Sequence, residues 1–349
     1  MTGSDRHGLD EERLTGFMLD HVEGFAGPLK ISQFAGGQSN PTYKLETPSG
    51  AYVLRRKPPG LLVKSAHAVD REYRVIKALG DTDFPVPKAF ALCEDDDVLG
   101  TAFYIMEYVE GRVFWDFHMP DLSRAERGAV FESMCDNLAK LHQLDYKALG
   151  LEDFGRHGGF IGRQIGLWTK QFERSTTPVL PKIRKLIDWL PGAIPDDDSV
   201  SLMHGDYSIH NLLFHPSKPR LAVALDWELS TIGHPLVDLF YNGMAYYIPA
   251  SASARERSFA DLDCERHGIP TFDRYIEMYC ERVGRGDIDN PSFYKAFILF
   301  RFAGIMQGVI ERVKRGSAND PDADPELMTQ NLISLADAAF DHARDAGAI

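Results

Sequence analysis

The chain has 349 residues, 44% hydrophobic and 26% charged, which suits one large domain or two lobes sharing an interface. A formal net charge of −13 excludes a general nucleic-acid binder, which needs a basic face to displace counterions. Four cysteines (Cys93, Cys135, Cys264 and Cys280) form no CxxC pair and no zinc-site spacing, so free thiols in a reducing, cytoplasmic setting are expected.

The first residues carry charge where a signal peptide needs an apolar core, and so are expected to be mature protein. Gly8 to Phe25 predicts a leading helix, with Leu9, Leu14, Phe17 and Val22 among its apolar positions. Short extended runs follow at Leu29–Phe34, Thr42–Thr47 and Ala51–Arg56, separated by turn-forming Gly, Asn, Pro and Ser. Ser65 opens a helical stretch to about Leu79, and extended runs resume at Ala89–Cys93 and Thr101–Tyr108.

From Ser123 onward helices dominate. They are predicted at Ser123–Gln143, Arg163–Arg174, Leu180–Leu190, Thr271–Val283, Phe293–Lys314 and Pro325–Ala343. Strands interrupt them at Val200–Met203, Leu212–Phe214 and Leu221–Asp226. The apolar stretch Ala296 to Ile310 is broken by Arg301 and is shorter than a bilayer span, so it is expected as a buried core helix with no membrane role.

The strongest local signal is His204-Gly205-Asp206-Tyr207-Ser208-Ile209-His210-Asn211, set between two apolar runs. An Asp and an Asn five apart on a loop can divide the work of phosphoryl transfer. The carboxylate of Asp206 would orient an acceptor hydroxyl and take its proton, while the amide oxygen of Asn211 would bind magnesium. Asp226 ends the run Leu221–Leu225, fifteen residues after Asn211, where a carboxylate can face a triphosphate and hold the metal. Glu228 is a further candidate ligand for metal or water.

These residues, followed by Gly233-His234-Pro235-Leu236-Val237-Asp238-Leu239, resemble the aminoglycoside/choline phosphotransferase family. The resemblance runs from about Phe34 to Asp238. It implies an α+β, two-lobed protein-kinase-like fold, with a β-rich N-terminal lobe over residues 1–108 and a mostly helical C-terminal lobe over 109–349. It implies ATP and Mg²⁺ as cofactors and a hydroxyl of a small molecule as acceptor. Carried over by position, Asp206 is the catalytic base, His204 braces its loop, Asn211 and Asp226 hold magnesium, and Asp238 ties the following helix to the loop.

In the small lobe, Phe34–Asn40 lies between two strands, where Gly36, Gly37, Ser39 and Asn40 would fold over the phosphates. Strand alternation puts Val53 and Arg55 on one face, which places Arg55 where kinases keep a phosphate-gripping lysine. Glu72 is its expected ion-pair partner; Arg56 or Lys57 takes the role if the register slips. Met106, Glu107 and Tyr108 match the family's inter-lobe hinge, whose backbone would bond adenine.

Six Lys/Arg (Arg55, Arg56, Lys57, Lys64, Arg71, Arg74) against two acids between Arg55 and Arg74 suggest a receptor for an anionic substrate beside ATP. Tyr52–Pro59 and Ala66–Leu79 are also similar to kinase domains associated with acyl-CoA dehydrogenases. That implies a hydroxyacyl-CoA or hydroxy acid as acceptor, and a functional association with enzymes of acyl-CoA metabolism. An aminoglycoside would need an acidic pocket, for which Asp261, Asp263, Glu265, Glu277 and Glu281 are candidates. Choline would need an aromatic cage, for which Trp115, Tyr246 and Tyr247 are candidates, although these aromatics are expected in the core. A catalytically silent nucleotide-binding pseudokinase is the alternative of a different class.

Overall fold

Alternation along the first strands decides the architecture of the N-terminal half. The computed structural model describes residues 8–34, 40–58, 68–253, 255–316 and 324–348. Helix α1 (Glu11–His21) starts at Asp10, whose side chain accepts from the Arg13 amide. Strands β1 (Lys30–Gln33), β2 (Thr42–Thr47) and β3 (Gly50–Arg56) precede helix α2 (Val69–Leu79), strand β4 (Ala89–Cys93), short α3 (Asp96–Leu99) and β5 (Phe103–Glu107). The five strands form one antiparallel sheet in the order β1-β2-β3-β5-β4.

Each face of this sheet has its own partner. Tyr52, Leu54, Phe103 and Ile105 join Leu14 and Met18 of α1 in one core. Val53, Tyr104 and Met106 point the other way and pack with Val75, Ile76 and Leu79 of α2. This second core runs on without a break into the helical half. Phe84 meets Trp227 edge-on at 5.7 Å, and Arg71 donates to the Phe154 carbonyl at 2.7 Å.

The C-terminal half begins with α4 (Arg124–Gln143), opened by a capping box between Ser123 and Glu126. Then come α5 (Phe160–Arg174), α6 (Pro181–Trp189), β6 (Ser201–Met203), β7 (Leu212–Phe214), β8 (Leu221–Ala224) and β9 (Thr231–Gly233). The last helices are α7 (Pro235–Asn242), α8 (Cys264–His267), α9 (Phe272–Val283), α10 (Pro291–Lys314) and α11 (Pro325–Asp345). β6 pairs with β9 and β7 with β8, both antiparallel, so the segments that flank His204–Asn211 and Asp226 are pinned together. This is the expected two-lobed α+β plan.

Two expectations differ from the structure. α10 has 24 residues, longer than its apolar centre, because Asn290 caps it and Pro291 starts it ahead of the apolar run. By length and apolar content it could cross a membrane, and 67% of its most apolar window is buried inside the protein. Trp115 is not a core residue: it is 61% exposed. The start expected at Ser65 lies outside the described residues, and α2 is described from Val69. All four cysteines are free thiols.

Candidate active site

The loop between β6 and β7 is held from beneath by one buried carboxylate. Asp238, at the first turn of α7, accepts from the amides of His204 (2.7 Å) and Gly205 (2.9 Å). His142 from α4 approaches the same carboxylate at 3.5 Å and bonds the Tyr279 hydroxyl at 2.8 Å through its other nitrogen. His204 is fully buried; its Nε2 donates to the Leu225 carbonyl (2.9 Å), which leaves Nδ1 to accept from the Asp206 amide (3.3 Å). One imidazole thus spans the gap between the loop and the end of β8.

Farther along, Tyr207 donates to the Met134 carbonyl (3.0 Å), and Asn242 donates to the Tyr207 carbonyl (3.1 Å). Gly205 has φ +84°, and a Cβ there would sit 2.3 Å from the Leu229 carbonyl oxygen. Gly205→Ala is therefore expected to cost at least about 2 kcal/mol, read as a lower urea midpoint with an unchanged slope.

Asp206 and Asn211 meet across the loop. Asn211 Nδ2 donates to the carbonyl oxygen and to Oδ2 of Asp206, both at 2.9 Å, which turns the Asn211 amide oxygen outward. Asp206 Oδ1 is buried without a well-formed hydrogen bond, and the Tyr241 hydroxyl is close to the same carboxylate. A buried carboxylate oxygen left this way is costly unless a donor arrives, and an acceptor hydroxyl is such a donor.

Asp226 follows β8 at φ +64°, a left-handed conformation that Asp tolerates better than most residues. Its Oδ1 accepts from Arg55 Nη2 at 2.7 Å. Arg55 Nε lies 3.0 Å from Glu72 Oε2, off the line of a good hydrogen bond, and Nη2 lies 3.6 Å from Glu228 Oε2. The other Glu72 oxygen accepts from the Trp227 amide (3.3 Å). Arg55 thus bridges α2 to the Asp226–Glu228 turn, as its placement on the Val53 face predicts.

The open alternatives at the Arg55 position close here. Arg56 faces the opposite side of the sheet and donates to the Gly8 carbonyl (3.1 Å), while Lys57 pairs with Asp70 at 3.8 Å. Arg71 bonds the Phe154 carbonyl, and Arg74 pairs with Asp153. The cations described between Arg55 and Arg74 thus each meet a protein group, and Arg55 among them also borders a cavity between the sheet and β7. Lys64 lies outside the described residues.

Burial pushes the Glu72 carboxyl up to about 7, with Arg55 opposing the rise and Asp226 and Glu228 adding to it. The folded chain then holds a proton that the unfolded chain releases near 4.5. This residue's stabilising contribution is complete below that value and is lost as pH climbs through 7. Thermal melts from about pH 5 to about pH 8 should show wild type losing stability relative to Glu72→Gln, by at most about 3 kcal/mol.

Between the sheet and β7 lies a largely apolar cavity of about 310 Å³ that ends at Arg55, Glu72 and Asp226. Val53, Pro87, Met106, Tyr108, Leu213 and Leu225 line it. The Glu107 amide donates to the Lys88 carbonyl (2.9 Å) and the Tyr108 amide reaches the Ala51 carbonyl at 3.4 Å. Those two hinge amides are thus engaged within the sheet, and Val109, next along, lines the cavity. The crossing is anchored where Arg112 and Phe214 exchange backbone bonds at 2.8 and 2.9 Å. A Cβ on Gly111 would collide with Leu213 and Phe214 at 2.5 Å, so the chain passes there only without a side chain.

Asn40 is buried, and its carbonyl accepts from Thr42 Oγ1 (3.0 Å); Gly36, Gly37 and Ser39 lie outside the described residues. Among the described residues no group of three or more His, Cys, Asp or Glu forms a metal cluster. Asn211, Asp226 and Glu228 instead offer a sparse, all-oxygen donor set. That set fits magnesium, which takes its remaining ligands from water and phosphate.

Sequence reading missed His142, Asn242, Tyr241 and Arg301. Tyr241 and Asn242 stand three and four residues after Asp238 on α7, spacings that mark them for the same face; His142 and Arg301 are joined to the loop only by the fold. Three of the acids considered for an aminoglycoside have cationic neighbours on the surface. Glu277 and Glu281 pair with Arg274 at 3.0 and 3.1 Å on α9, and Glu281 and Glu265 share a surface pocket with Arg124 and Arg282.

A family model described as a phosphotransferase enzyme family matches residues 30–275. A mouse protein named acyl-CoA dehydrogenase family member 10 is 42% identical over 327 residues, covering 93% of this chain and 30% of the relative. The chain spans less than half the length of the curated relatives it matches. A crystal structure from Ralstonia eutropha JMP134, provisionally named an aminoglycoside phosphotransferase, is 45% identical with a TM-score of 0.88, covering 96% of this chain and 98% of that one. A spectinomycin phosphotransferase solved with ADP and spectinomycin is 12% identical with a TM-score of 0.59, covering 96% and 99%; that likeness concerns the fold.

Proposed function

The chain belongs to the phosphotransferase enzyme family, and from that premise we propose that it moves the γ-phosphoryl group of ATP to a small-molecule hydroxyl, with the residues around Asp206 as its machinery. The observation that carries this reading is the buried carboxylate of Asp206, bonded by Asn211 on its own loop, with the Arg55-bound Asp226 following Leu225, which His204 ties to that loop.

In this reading the adenine enters the apolar cavity and its phosphates run toward Arg55 and Asp226. The acceptor oxygen forms a bond to the γ-phosphorus while the bond from that phosphorus to the β–γ bridging oxygen breaks. ADP leaves with that electron pair, and the hydroxyl proton passes to Asp206. Asn211, Asp226 and Glu228 would hold magnesium, which supplies charge neutralisation on the phosphates. Arg55 grips phosphate from a position set by Glu72, and His204 and Asp238 keep the base in place.

The acceptor we favour is a hydroxy acid or a hydroxyacyl-CoA. The name of the mouse relative supports this choice and a functional association with acyl-CoA dehydrogenases. Magnesium-dependent ADP release against hydroxy acids, hydroxyacyl-CoAs, aminoglycosides and choline tests it. Release with the acyl class alone is expected; release with aminoglycosides or choline would move the acceptor to that class. Nucleotide binding without release for any class would favour a pseudokinase.

A further inference from the structure

Arg301 is the lone charged residue between Ala296 and Ile310, the apolar centre of α10, and it comes to the catalytic loop. Its Nη2 lies 3.4 Å from the carbonyl oxygen of Gly205, the residue before the base. Its guanidinium carbon stands 5.5 Å from the centre of the Tyr241 ring. The Tyr241 hydroxyl, in turn, is raised well above its ordinary range first by burial and then by the charge of Asp206 and a hydrogen bond to it, so Tyr241 neighbours both residues.

Arg301 Nε is buried with no hydrogen-bond partner, and no carboxylate pairs with Arg301 among the described residues. Arg301 is only partly buried overall, so its guanidinium, without a counter-ion, can be reached by an anion, which would also offset the cost of the buried Nε. A second cation lies near the same loop: the Arg257 guanidinium is 6.0 Å from the ring of exposed Trp115, which stacks on His210 at 6.1 Å. In a chain of net charge −13, two arginines therefore border the loop that carries the base.

We propose that Arg301 is an acceptor-binding residue that receives anionic oxygens carried by the same molecule as the reacting hydroxyl. The proposal rests on the phosphotransfer reading above and narrows its substrate class to anionic acceptors. The guanidinium fork suits a carboxylate or a phosphate, and either meets the same donors. A polycationic or quaternary-ammonium acceptor would meet like charge from Arg301 and Arg257.

The test compares one hydroxyacyl skeleton as free acid, CoA thioester and uncharged methyl ester, with wild type, Arg301→Ala and Arg301→Lys. For wild type, the ester should be about 10-fold poorer in kcat/KM than the better anionic form. Arg301→Ala should raise KM for that anionic form about 10- to 100-fold, with KM for ATP within about twofold and the ester little affected. Arg301→Lys should restore part of the loss. A free acid that shows the effect identifies a carboxylate, and a thioester that shows it identifies the CoA phosphates. A fall in kcat with unchanged acceptor KM, or an equal loss on the ester, would overturn the proposal while leaving phosphotransfer standing. Absence of Asp206-dependent transfer to all three would overturn both.

Discussion

Asp206→Asn is expected to lower kcat by about 10²- to 10⁴-fold and to leave nucleotide affinity within about twofold. The substitution preserves shape but removes the group that takes the hydroxyl proton. The loop should survive it, because its anchors are elsewhere: Asp238 holds the amides of His204 and Gly205, and Tyr207 is bonded to α4. Nucleotide affinity should survive too, since the cavity ends at Arg55, Glu72 and Asp226 and does not include Asp206. A kinetic loss that came instead as a raised KM for ATP would move Asp206 from proton transfer to nucleotide binding.

Asp226→Gly is expected to abolish magnesium-dependent turnover, by on the order of 10³-fold or more, without unfolding the protein. Asp226 adopts φ +64°, which glycine takes without strain, so the backbone of the turn has no reason to change. Arg55 keeps Glu72 at 3.0 Å and Glu228 at 3.6 Å, and loss of the Asp226 charge removes one cause of the raised Glu72 value, so Glu72 ionises more readily as its counter-ion. Stability should therefore move by about 1 kcal/mol or less, while the carboxylate that would face metal and phosphate is gone. A variant that remained folded and fully active would remove Asp226 from the site. Loss of folding, in contrast, would mean that its ion pair with Arg55 holds the turn in place.

Much of this arrangement was legible because it is local. The spacing of His204, Asp206 and Asn211 puts all three on one short loop, and strand alternation alone sends Val53 and Arg55 to the cavity and Arg56 away from it. The helix boundaries moved by a few residues: α1 is shorter than its expected run, α5 starts earlier at Phe160, and Asn290 with Pro291 extends α10 beyond its apolar run. What could not be read was the contact between distant segments. His142 reaches Asp238 across 96 residues of chain, and Arg301 reaches Gly205 across a similar interval. In a sequence, a single arginine inside an apolar helix signals only an interruption; its meaning comes from the loop packed beside it. The partners of the basic run at Arg55–Arg74 were hidden for the same reason, since charge counted along the chain does not show the Asp70, Asp153 and backbone groups it meets.

The measurement that bears most directly on the whole account follows the label from [γ-³²P]ATP into the acceptor, with wild type and Asp206→Asn side by side. Label in a phosphoester of the hydroxy acid or hydroxyacyl-CoA, dependent on magnesium and lost in Asp206→Asn, is the expected result. Transfer that persists in Asp206→Asn, or label released only as inorganic phosphate whatever the acceptor, would contradict it.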